Sequence, residues 1–393
     1  MDPRISWRSE TSAKAWPALE AVARAAIEAW PARPGAWLSL AQILRQQGRA
    51  EAAAAELEGA VEHLPGDPRL RLALAEVLAV LGRLEAAVDE AGEALRLDPD
   101  SREARLLRLS LLVKRGRWQA AAPDADVVRL GDPAEPLLLD WLELRSREEP
   151  QAIPELLSRA DAVLAAQPGS APATYYKAMA LARLGDAAAA RTLISTETLV
   201  EIGELGPPSG YSSDQEFYAA LAGEILANPT LEPDPRAKAT THGRQTRQLR
   251  PHHGPATAVL LALLPAAAET HADRIAGRAP AFAAARPAAA ELRVWAVVCG
   301  ADGHQKPHWH SSAWASGVCY VTVPAAAEKG GGGSLLLGTV DLAEGGEPPW
   351  GVRPIAPQPG RIVVFPSYLP HSTAPSGAEG LRISVAFDIV PVA

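Results

Sequence analysis

Through the first half of the chain, apolar residues recur at i, i+3 and i+4. AEVLAVLG (75–82) and AAVDEAGEALRLDP (86–99) show the spacing, which is that of amphipathic helices. These helices come at a fixed interval. Gly48, Gly82 and Gly116 step by 34 residues, and each is followed by arginine; Pro31, Pro65, Pro99 and Pro133 step by 34 as well. Small residues keep the same register, Ala41 with Ala75 and Ala60 with Ala94. The next segment, 136–168, is helical in period but lacks the glycine, which returns as Gly185 in APATYYKAMALARLGDAAAARTLI (171–194). The helical period stops near residue 196. ELGPPSGYSS (204–213) reads as a boundary. SDQEFYAALAGEILANP (213–229) predicts one more helix, with Ser213 as N-cap and Phe217, Leu221 and Ile225 on its buried face. Short β-branched runs then dominate: LRVWAVV, GVCYVTV, GSLLLGTV, RIVVF and LRISVAFDIV, bounded by Gly and Pro. They predict an antiparallel sandwich or jelly roll.

Composition narrows the function classes. The 393 residues are 48% hydrophobic and 21% charged, enough for two or three cored domains. A net charge of −8 argues against a general nucleic-acid binder. AVLLALLPAAA (258–268) is too short for a membrane span and predicts a buried helix. Only Cys299 and Cys319 are present, which fits a reducing compartment and a cytoplasmic location. The start of the chain shows no apolar targeting segment. The basic stretch 234–254 reads as a solvated loop or an anion contact, and EKGGGGS (328–334) as a flexible strand connection.

The 34-residue period, with Trp37 early in its unit, small residues, a turn glycine and a late proline, resembles the tetratricopeptide repeat. The resemblance implies antiparallel helix pairs stacked into an all-α solenoid over residues 1–196, with a protein or peptide partner in its concave groove. A linker, residues 197–212, leads to a second domain over residues 213–393.

Eight of the nine histidines follow residue 240. In PHWHSSAWASG (307–317), His308 and His310 lie at i and i+2, on one face of a strand. His371 follows the strand RIVVF. In the last strand Arg382, Ser384 and Ala386 share one face, so an arginine and a serine point together. Trp309 and Trp314 read as packing residues. His304 reads as a neighbour of the cluster, and the adjacent pair His252–His253 as unsuited to one metal.

This layout resembles the Fe(II)/2-oxoglutarate oxygenases, whose pattern is His-x-Asp/Glu, a distant His, then Arg-x-Ser. Here His310 and His371 are 61 residues apart. The segments ATTHGRQTRQL, PHWHSSAWASGVCYVTVP, PGRIVVFPSYLPHSTAP and LRISVAFD are similar to the 2-oxoglutarate/Fe(II) oxygenase family found fused behind tetratricopeptide repeats, close to the prolyl-hydroxylase-like branch. The resemblance implies a double-stranded β-helix with supporting helices, hence a multidomain α and β protein. It implies iron held by His308, His310 and His371, and 2-oxoglutarate held by Arg382, Ser384 and Tyr320. O2 would be the oxidant and ascorbate a reductant; no catalytic side chain beyond the metal centre is implied. The activity implied is a 2-oxoglutarate-dependent dioxygenase that hydroxylates a recruited protein or peptide. His310 stands where the family pattern has a carboxylate, with Asp302 and Asp341 as alternative donors. Two other readings stay open: a three-histidine dioxygenase that does not use 2-oxoglutarate, and a repeat scaffold whose jelly roll binds metal without turnover.

Overall fold

The computed structural model describes residues 6–7, 16–132, 135, 137–205, 208, 210–235, 238–325, 327, 332–340 and 347–392. Pro133, Asp341 and residues 328–331 of the glycine run lie outside the described residues. The chain forms two compact units, residues 10–162 and residues 163–393 with the first nine residues.

The first unit is a run of helices: α1 (Trp16–Ala29), α2 (Pro34–Gln46), α3 (Ala50–His63), α4 (Pro68–Val80), α5 (Leu84–Leu97), α6 (Arg102–Lys114), α7 (Trp118–Gly131), α8 (Leu137–Glu148) and most of α9 (Ile153–Ala166). Gly48, Gly82 and Gly116 close the α2–α3, α4–α5 and α6–α7 hairpins with φ of 76°, 73° and 69°. A side chain is strained there, which explains the glycine period. Leu40, Leu44, Ala53, Leu57, Leu70 and Val77 form its fully buried seam, so each hairpin covers its neighbour. These helices are the tetratricopeptide solenoid that the period predicts.

The second unit opens with the hairpin α10 (Ala171–Arg183) and α11 (Ala187–Leu193), closed by Gly185 at φ 84°. The boundary expected at residue 196 and the division between the compact units at 162/163 are thus different partitions. The last hairpin keeps the repeat pattern, yet it is packed with the sheet. Arg191 Nε donates to Pro349 O at 2.6 Å, and Arg353 Nη1 donates to Thr196 O at 2.7 Å.

The strands are β1 (Ser6–Trp7), β2 (Glu201–Glu204), β3 (Glu232–Pro233), β4 (Thr240–Gln245), β5 (Ala289–His308), β6 (Ala315–Thr322), β7 (Leu335–Leu337), β8 (Arg353–Ile355), β9 (Arg361–Pro366), β10 (His371–Thr373) and β11 (Arg382–Pro391). They form one sheet in the order β2-β9-β6-β11-β5-β10-β7-β8; β4 also pairs with β5. All pairs are antiparallel except β1 with β5. The sheet curls as a jelly roll does, so that β5, β6, β7, β9, β10 and β11 line one cavity.

On the outer face Ile383, Val385, Phe387 and Ile389 of β11 pack into a core with α12 (Asp214–Leu226) and α13 (Pro255–Ala276). Ser213 caps α12 by accepting from Glu216 N, and Phe217, Leu221 and Ile225 are fully buried. The apolar run 258–268 lies inside α13. No helix among the described residues is long and apolar enough to cross a membrane. The basic stretch is not simply a solvated loop: its centre is β4, hydrogen-bonded along β5 with Thr240 and Gln245 buried.

Candidate metal centre

Two strands bring the three histidines together. In the β10–β5 ladder His371 lies directly opposite His308, and His310 follows two residues later. One nitrogen of each of the three lies within 4.8 Å of the others, the one such group among the described residues. The remaining nitrogens are occupied. Nδ1 of His308 meets Lys306 O at 2.7 Å, and Nδ1 of His371 meets Leu369 O at 3.0 Å. Nδ1 of His310 meets the Asp388 carboxylate at 2.6 Å. All three partners are acceptors, so each Nδ1 carries the proton and each Nε2 keeps a lone pair. Three imidazoles, two on strands and His310 just past the end of β5, each pinned at Nδ1, suit a divalent first-row cation.

Burial and the neighbouring rings oppose protonation. The His308 imidazole is pushed down to about 4, first by burial and then by His310. His371 is held well below its ordinary value by burial and by the other two histidines. A cation entering here meets His308 and His371 already deprotonated.

The other end of the cavity holds a buried cation. Arg382 is 2% exposed, and its guanidinium donates to Gly333 O, Ala374 O and Thr373 Oγ1. Among the described residues it forms no ion pair. Gly333, with φ of 72°, lies so close that an added Cβ would sit 3.2 Å from the arginine side chain. The described end of the glycine run is therefore a wall over Arg382. Tyr320 faces the same cavity from β6, opposite Ser384 of β11. Among the described residues its hydroxyl is buried without a hydrogen-bond partner, and burial raises it to about 12, so it stays a donor. A buried cation and an orphaned hydroxyl in one cavity call for a carboxylate. The structure thus brings together all six expected residues: His308, His310, His371, Arg382, Ser384 and Tyr320.

The alternative donors do not join them. Asp302 is exposed and outside the histidine group, and Asp341 lies outside the described residues. The carboxylate that does reach the site, Asp388, sits behind His310 rather than beside it. Extending the Arg382, Ser384, Ala386 face by one more step of two would have found it. His304 bonds its own strand at Asp302 O, and His252 and His253 sit edge to face in a single helical turn. Trp314 stacks on Phe282 at 4.4 Å. Trp309, between the two histidines, stacks on Tyr175 of α10 at 4.5 Å and meets Tyr176 edge-on at 5.6 Å. The last repeat hairpin therefore packs directly behind the His308–His310 segment, a contact invisible to local pattern.

Comparison with known proteins agrees with this geometry. The tetratricopeptide-repeat model matches residues 15–77 and 44–111, and the model of the family described as "Putative 2OG-Fe(II) oxygenase" matches residues 293–388. No curated protein matches the chain significantly. Similar solved structures include a Pseudomonas putida prolyl-4-hydroxylase, 17% identical over 49% of this chain and 93% of its own, with a TM-score of 0.34. They also include MamA from Desulfovibrio magneticus RS-1, 19% identical over 40% of this chain and 88% of its own, at 0.37. A third is YrrB, described as a TPR protein with an unusual peptide-binding site, 20% identical over 44% and 91%, at 0.39. The chain carries a tetratricopeptide-repeat region over residues 15–111 and, over residues 293–388, a domain that matches the family described as "Putative 2OG-Fe(II) oxygenase".

Proposed function

We propose that this protein is an Fe(II)- and 2-oxoglutarate-dependent dioxygenase that hydroxylates a protein or peptide brought to it by the repeats. The observation that carries the reading is the pairing, in one cavity, of three Nδ1-pinned histidines with a buried arginine that forms no ion pair among the described residues. His308, His310 and His371 would hold the iron through Nε2. Bound iron with O2 would couple decarboxylation of 2-oxoglutarate to hydroxylation of a C–H bond. Arg382 holds the distal carboxylate of the cosubstrate, with the Tyr320 and Ser384 hydroxyls completing its contacts. Phe365, 4.8 Å from the His371 ring, helps keep water from the metal face.

A three-histidine dioxygenase that does not use 2-oxoglutarate would have the same ligands. The Arg382–Tyr320 end of the cavity favours the 2-oxoglutarate reading. Succinate formation on adding Fe(II), ascorbate and 2-oxoglutarate tests it, and failure to form succinate with iron bound would select the other reading. On the repeat side, α1 and α2 leave a hollow lined by Leu19, Val22, Trp30 and Ile43, where we place a partner's apolar residue. Cys299 and Cys319 are both free thiols, which supports a cytoplasmic setting.

A further inference from the structure

The Asp388 carboxylate lies one layer outside the three histidines. It is 8% exposed, on β11, in register with Ser316 of β6. One oxygen, Oδ1, accepts both from His310 Nδ1 at 2.6 Å and from Ser316 Oγ at 2.6 Å. Ser316 Oγ is also 3.3 Å from His310 Nδ1, so the three groups form a closed triangle. Among the described residues Arg293, opposite Asp388 on β5, pairs with Glu291 rather than with Asp388. The negative charge is therefore directed at the imidazole.

Resting on the reading that His310 binds iron, we propose that Asp388 is a positioning residue that replaces the missing carboxylate ligand from one layer out. It fixes His310 with Nε2 toward the cavity, and it makes the imidazole a stronger donor by accepting its Nδ1 proton. The site thus carries a negative charge close to the metal without spending a coordination position on it.

The same geometry couples positions 310 and 388. In aspartate, Oδ1 is as many bonds from Cα as Nδ1 is in histidine. An aspartate at 310 would put a carboxylate oxygen where Nδ1 now stands, 2.6 Å from Asp388 Oδ1. Two carboxylates that close cannot both ionise. The residues at 310 and 388 are therefore coupled: histidine at 310 donates to the 388 carboxylate, whereas aspartate at 310 would face it as a second acceptor.

The test is iron affinity, measured anaerobically on the full chain by competition with a chromogenic chelator, together with the Fe(III)/Fe(II) potential. Asp388→Asn keeps an acceptor for Nδ1 but removes the charge. It should weaken Fe(II) binding by roughly 10–100-fold, the usual range for such outer partners, and shift the potential positive. In a His310→Asp background the same change should act in the opposite direction and tighten binding. A residue that merely supports the fold would move neither the potential nor the sign. Equal affinity and potential for Asp388→Asn and wild type would overturn the proposal, as would weaker binding in both backgrounds. Asp388→Ser repeats the measurement if the asparagine variant does not fold. Loss of fold in both also overturns it, since the carboxylate would then be structural. If instead the wild type itself binds no Fe(II), it is the oxygenase reading that fails.

Discussion

Replacing Tyr320 by phenylalanine removes one oxygen atom and separates two roles that most substitutions confound. The side chain is 1% exposed, so the ring stays and the packing is conserved. Its hydroxyl has no hydrogen-bond partner among the described residues, so the empty fold loses no hydrogen bond. Burying an unpaired hydroxyl costs about 1–3 kcal/mol, so the melting temperature of the ligand-free variant should hold or rise. Cosubstrate binding should move the other way. Burial keeps the phenol protonated, with a raised pKa of about 12, so under the proposed reading it would donate to a carboxylate anchored on Arg382. A hydrogen bond to a charged group is worth about 1.5–3 kcal/mol, which corresponds to roughly a 10–150-fold weaker affinity. Calorimetric titration of 2-oxoglutarate into metal-loaded protein, beside thermal melts of both forms, reads the two effects. An unchanged dissociation constant, or a lowered melting temperature, refutes the reasoning.

Arg382→Ala should lose about 2–5 kcal/mol of 2-oxoglutarate binding while leaving the histidines to bind iron, and Arg382→Lys should recover only part of it because the fork is gone; the same titrations check this. Iron binding should release at most one histidine proton between pH 7 and 5, since His308 and His371 are already held neutral by burial; proton release measured in two buffers decides it. For the metal-free fold the sign follows from the lowered values: the unfolded chain takes up protons below about 6.5 that folded His308 refuses until about 4. Stability should therefore fall as pH drops through that window, and His308→Gln should flatten the fall in chemical denaturation. Residues 167–393 should fold and bind iron, whereas 200–393, lacking α10, should melt lower and bind iron more weakly. Each lost aromatic contact on Trp309 costs about 0.5–1.5 kcal/mol beyond its area; equal behaviour of the two fragments would refute that coupling.

Much of the molecule was legible without coordinates because its determinants are local. The glycines at 48, 82, 116 and 185 mark turns that need a positive φ, and a turn depends only on its own few residues. Arg382 and Ser384 share a face because strands alternate; the same rule predicts one face for His308 and His310, but β5 ends at His308, and His310 is held past it by Ser367 O and Asp388. Ser213 caps its helix through a bond spanning three residues.

What stayed hidden depends on strand register, helix docking and burial, none of which a local pattern contains. Only the ladder puts His371 opposite His308, and only the adjacency of β6 and β11 puts Ser316 against Asp388. Scanning near the histidines for a carboxylate led to Asp302 and Asp341, whereas the carboxylate that reaches the site is 78 residues from His310. Counting three histidines predicts a three-proton release at mildly acid pH, but packing strips two of them of water and keeps them neutral. Composition placed the domain boundary near residue 197, yet Tyr175 stacks on Trp309 across 134 positions of sequence. The sequence sets which elements form and which face each residue takes; their docking decides which residues meet, and how much water they lose when they do.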